Sequence, residues 1–116
     1  MNLTIYHNPR CSKSRQTLEL IREHGIQPAI VPYLERPPAP ATLMRIAKML
    51  GIPVKDLVRP NDVDAAETLP TGDEAALARW LSEHPRALQR PIVVDEDAER
   101  AVVGRPPVMV LELLSR

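Results

Sequence analysis

A single cysteine among 116 residues sets the first limit on this chain's chemistry. One thiol cannot close an internal disulfide, which excludes both a disulfide-stapled scaffold and an intramolecular dithiol switch. Histidine is also sparse, at three copies, and no zinc-ligand spacing links them to the cysteine, so no metal is expected. No apolar run approaches the roughly 18 residues that suggest a membrane span. The opening "MNLTIYHNPR" lacks the apolar core of a secretory signal, and the expected location is cytoplasmic. An excess of charge is missing too: 15 Lys and Arg offset 15 Asp and Glu. That balance removes the basic field that nucleic acid or an anionic membrane surface calls for. Neither a P-loop nor a dinucleotide fingerprint is present, and no bound cofactor is expected. Any anion site must therefore be built from a few cations placed locally.

What the chain does have is proline, 13 copies, falling between periodic segments as punctuation. Leu3 to Tyr6 reads as a short strand, and a helical pattern begins at Ser12 and stops at Gly25. "PAIVPYL" reads as a second strand, with Pro32 suggesting an edge. Leu43, Ile46, Ala47 and Leu50 repeat at helical spacing up to Gly51, and "PVKDLVR" predicts a short helical turn. In "TGDEAALARWLSEHP", Thr71 and Glu74 fit a capping box and Pro85 ends the helix. "PIVVD" and "RAVVG" predict a β-hairpin around an acidic turn. Pro106 and Pro107 then fit the first turn of a last helix, with Val110, Leu111 and Leu114 on its core side. The stretch from Pro60 to Gly72 reads as an irregular loop. The order β-α-β, helices, β-β-α predicts an α/β fold. It is one mixed sheet flanked by helices, with a helical insertion between the βαβ unit and the hairpin, in a single domain over residues 1–116.

Cys11 lies where the first helix begins, in "HNPRCSKSR", flanked by Arg10, Lys13 and Arg15. The thiolate is the reactive form of cysteine, and an ordinary thiol is mostly protonated at neutral pH. Helix-start N–H groups and nearby cations both favour the anion. The same turn suits a bound oxyanion, with Ser12 and Ser14 as additional hydroxyl donors. Position and flanks alone leave the alternative open, a small hydrophobe with charges nearby. His24 and His84 lie late in predicted helices and carry no expected chemistry.

"TIYHNPRCSKSRQTLELIREHGI" resembles the amino-terminal signature of the glutaredoxin-dependent arsenate reductase family. The resemblance continues through "YLERPP", "LVRPN", "LQRPIVVDEDAERAVVGRPP" and "VLELL", over nearly the whole chain. It implies a thioredoxin-like fold with Cys11 as nucleophile and His7 tuning it. Arg59, Arg90 and Arg105 are then expected to hold the oxyanion, with Asn8, Ser12 and Ser14 completing the substrate-binding set. Pro91 is implied as the cis-proline of the fold. The implied activity is reduction of arsenate or a related small oxyanion. Glutathione would be co-substrate and glutaredoxin partner, because one cysteine needs an external thiol to complete a two-electron step. Two alternatives belong to other classes. One is an Spx-like regulator that binds RNA polymerase, although "CSKS" lacks the second cysteine of a redox switch. The other is a glutaredoxin-like thiol oxidoreductase without an oxyanion substrate.

Overall fold

The structure is a computed structural model, and it describes residues 1–59 and 72–114. The described residues cluster into two compact units. One comprises Met1–Arg36 with Arg90–Arg116, the other Pro37–Gln89.

The first unit holds the sheet. Strand β1 (Leu3–His7) leads into helix α1 (Ser12–Glu23) and then strand β2 (Ala29–Pro32). Strands β3 (Ile92–Asp95) and β4 (Arg100–Val103) form the hairpin. The strand order is β2-β1-β3-β4. β1 pairs parallel with β2, the arrangement a helical crossover produces, and antiparallel with β3. β2 lies at the edge, where the missing N–H of Pro32 costs no central ladder bond. The Asp95 carboxylate closes the hairpin by accepting from the N–H groups of Asp97 and Ala98. Leu3, Ile5, Leu18, Ile21, Val93, Val102, Val110 and Leu113 form the apolar core that seats α1 on the sheet.

The C-terminal segment differs from the helix expected. It is a 3-10 turn, Pro107–Val110, followed by the short helix α4 (Leu111–Leu114). Val110 and Leu113 are the buried positions and Leu114 packs half-buried against the core as expected, whereas Leu111 is half-buried outside that cluster. The tighter winding of the 3-10 turn rotates the following positions, so Leu113 replaces Leu111 on the core side.

The second unit is the helical insertion. Helix α2 (Pro40–Leu50) ends at Gly51, whose φ of 72° is a left-handed cap favoured by glycine. A 3-10 turn follows at Val54–Leu57, and helix α3 spans Glu74–Glu83. Leu43, Ile46, Val54, Leu57, Leu77 and Leu81 are among its buried apolar residues. The helix start departs from the expected capping box. Asp73 is the N-cap and accepts from Ala75 N–H, while Glu74 instead accepts from Val54 N–H at 2.8 Å. Thr71, and the loop expected from Pro60 to Gly72 apart from Gly72 itself, lie outside the described residues.

Candidate active site

Cys11 is the N-cap of α1, with extended backbone (φ −92°, ψ 121°) and its carbonyl accepting from Arg15 N–H at 3.0 Å. An N-cap side chain faces the N–H groups two and three residues on, which the helix itself leaves unpaired. Here those groups belong to Lys13 and Ser14; the sulfur makes no side-chain cap hydrogen bond to them, yet both N–H dipoles act on it where most helices place a Ser or Asp oxygen. The Cys11 thiol is half-buried, and that burial pushes its pKa up. The opposing causes outweigh it. Ser14 N–H, a hydrogen bond from the Arg90 side chain, Lys13 N–H and the charge of Arg90 together hold Cys11 below its ordinary value.

The cations beside Cys11 in sequence are not the ones that act on it. Arg10, Lys13 and Arg15 are all exposed, and Lys13 contributes its backbone N–H rather than its ammonium. Arg15 instead donates to the Pro9 carbonyl at 2.8 Å and so clamps the loop. The acting cation, Arg90, arrives from the segment leading into β3. Tyr6 pairs with Ile92 in the β1–β3 ladder, and that register brings Arg90 alongside the residues that follow β1. The Arg90–Pro91 peptide bond is cis, and Pro91 is buried. Arg105–Pro106, a bond the sequence did not single out, is cis as well.

The sequence predicts a Ser14 hydroxyl free to meet an oxyanion, and here the structure differs. The hydroxyl is fully buried, accepting from Asn8 N–H at 3.1 Å and bonded to His7 Nδ1 at 2.6 Å. Its third position along α1 turns the side chain inward and leaves only its N–H for the sulfur. His7 is likewise tied to Ser14. Burial, then the charges of Arg22 and Arg15, hold its pKa below the usual value, so it is neutral at pH 7. We assign its proton to Nε2, because the single Ser14 hydroxyl proton can then be donated to Nδ1 while the oxygen accepts from Asn8. Asn8 shapes the same loop: its side-chain oxygen accepts from Arg10 N–H, and its carbonyl from Cys11 N–H, each at 3.0 Å. His7, Asn8 and Ser14 thus form a buried brace under the cysteine loop. Ser12 and Arg105 are exposed on the same unit. Arg59 belongs to the second unit, where its N–H donates to Ala87 O at 2.7 Å.

Arg90 Nε is buried and has no hydrogen-bond partner among the described residues. Such a donor is costly unless something completes it, and an oxyanion beside Cys11 is suitably charged. A different concavity, lined by Glu19, Leu20, Glu23 and Pro106 to Val108 among others, carries carboxylates and no cation, and would repel an oxyanion. Among the described residues no cluster of His, Cys, Asp or Glu could hold a metal ion. No helix among them is long and apolar enough to cross a membrane.

The model of the ArsC family matches residues 6–113. An arsenate reductase of Haemophilus influenzae is 44% identical, over 98% of this chain and 100% of that protein. The uncharacterized protein YfgD of Escherichia coli K12 is also 44% identical, over 95% of this chain and 94% of that one. Among solved structures, an arsenate reductase from Vibrio cholerae superposes with a TM-score of 0.87 at 39% identity, covering 97% of both chains.

Proposed function

The chain belongs to the ArsC family, with a thioredoxin-like fold, and from that premise we propose that it reduces arsenate to arsenite through Cys11, drawing its electrons from outside thiols. The observation that carries this reading is the placement of Cys11 at the N-cap of α1, where the Lys13 and Ser14 N–H groups and the Arg90 side chain all favour its anion, with the Arg90 Nε left buried and unsatisfied. That setting favours the thiolate, the reactive form of cysteine.

The chemistry follows in balanced steps. The Cys11 thiolate attacks arsenic, and an arsenate oxygen leaves as water after taking up protons, giving a sulfur–arsenic(V) adduct. Ser14 N–H, Lys13 N–H and the unpaired Arg90 Nε are the donors at hand as charge moves from sulfur to the arsenate oxygens. Arg105 and Ser12, exposed on the same unit, are proposed to complete the oxyanion's partners. Glutathione then attacks the Cys11 sulfur. A sulfur–sulfur bond forms, the sulfur–arsenic bond breaks, and its electron pair stays on arsenic as arsenite is released. Cys11 is left as a mixed disulfide with glutathione. No second thiol exists in the chain to resolve it. A glutaredoxin is the proposed reductant, acting in the cytoplasm by thiol–disulfide exchange.

Arsenite formation with arsenate, glutathione and glutaredoxin tests the reading. Wild-type protein is expected to turn over and Cys11→Ser to be inactive. Failure of the wild type to produce arsenite overturns the proposal. Cleavage of glutathione mixed disulfides without arsenite formation replaces it with a glutaredoxin-like activity.

A further inference from the structure

Gly104 follows β4 directly and is buried, its N–H donating to Pro91 O at 2.9 Å. A Cβ placed on it would lie 2.6 Å from Thr17 Oγ1, 2.9 Å from Pro91 Cγ and 3.1 Å from Thr17 Cγ2. The first two distances are closer than real carbon contacts allow. Neither neighbour yields easily. Thr17 is fully buried with its hydroxyl donating to Lys13 O at 2.8 Å, and Pro91 is a buried ring. The φ of Gly104 lies outside the left-handed region, so this position needs glycine for space and not for backbone freedom.

The two elements that crowd Gly104 are the two that build the cysteine site. Thr17 stands on α1, which carries Cys11 at its start, and Pro91 follows Arg90. We propose that Gly104 is a positioning residue: its missing side chain lets α1 and the Arg90–Pro91 turn close together at the end of β4, and that closure sets the reach of the Arg90 guanidinium to the Cys11 sulfur. A methyl group at 104 must push one of them away, and packed elements move as units rather than deform locally. Its effect on turnover rests on the arsenate reductase reading, but its effect on the thiol does not.

The experiment compares wild type, Gly104→Ala, Thr17→Ala and the double variant by thiolate absorbance against pH, thermal denaturation, and kcat and KM for arsenate. Gly104→Ala is expected to raise the Cys11 titration midpoint by about one unit, the scale of a weakened charge-assisted hydrogen bond. Its kcat should fall more than its KM rises. Thr17→Ala removes two of the three crowding atoms, so the double variant should recover at least part of the shift. An unshifted midpoint in folded Gly104→Ala overturns the proposal, as does a shift that the double variant leaves in full. Failure of both Gly104 variants to fold makes the glycine a folding requirement and also overturns it. If the midpoints move as expected while wild type makes no arsenite, the positioning role stands and the arsenate reading falls.

Discussion

At the scale of single residues, the site separates a nucleophile that needs charge from a histidine that must avoid it. Cys11 titrates low because Ser14 N–H, Arg90 and Lys13 N–H outweigh its burial, so activity is expected to fall as acid protonates it. Arg90→Ala should raise the thiolate midpoint and lower kcat/KM for arsenate by about 10²–10³. Arg90→Lys, which keeps charge but loses the planar fork, should fall between. Thiolate absorbance and arsenite formation read both. His7 has the opposite linkage. Its folded pKa lies below the unfolded value of about 6.5, so acid favours the unfolded chain. The stability it allows is complete above that value and is lost as pH falls through it towards the folded pKa. Melting temperature measured at about pH 7.5 and about pH 5.5 should drop further for wild type than for His7→Gln; equal drops would contradict the argument. Ser14→Ala strands Asn8 N–H and His7 in the interior and should cost about 1–3 kcal/mol in denaturant unfolding. The sequence marked Cys11 through its helix start, but it credited the adjacent cations. Proximity along a chain says little about which side of a helix start a long side chain takes, and Arg90 reaches the sulfur only through sheet pairing.

Among the secondary-structure elements, periodicity and proline punctuation place β1, α1, β2, α2, the hairpin and α3, because the helices carry an apolar stripe, the strands are short β-branched and apolar runs, and Pro, Gly or turn residues separate them. The caps were harder to read. Thr71 with Glu74 and Asp73 alone both satisfy the residue preferences for the start of α3, and the Val54 N–H, distant in sequence, claims the Glu74 carboxylate. Replacing Asp73 with Ala should destabilise the protein by about 1 kcal/mol in urea, the usual cost of a lost N-cap. The last helix is ambiguous in sequence for a related reason. Pro106 and Pro107 fit either an α or a 3-10 start, and only packing against α1 and β4 chooses between Leu111 and Leu113. His24 and His84, for which the sequence predicts no chemistry, each turn a ring nitrogen to a carbonyl one turn back, Leu20 O and Trp80 O.

For the molecule as a whole, a formal net charge of zero means that no long-range field draws arsenate in. The KM for arsenate should therefore rise only a few-fold, about threefold or less, as ionic strength goes from low to about 0.15 M, measured at constant pH. A much steeper dependence would point to a broader basic surface. The ladder between β1 and β3 has a further consequence, one of time rather than geometry. Cys11 leaves the end of one strand and Arg90 enters the start of another, and these two strands meet only after nearly the whole chain has been made. Contacts so far apart in sequence close late in folding, after local helices have formed. On refolding, fast thiolate reactivity towards an alkylating reagent should lag behind the recovery of helical circular dichroism. With one thiol in the chain, every alkylation event reports on that closure, so the nucleophile doubles as a clock for the sheet.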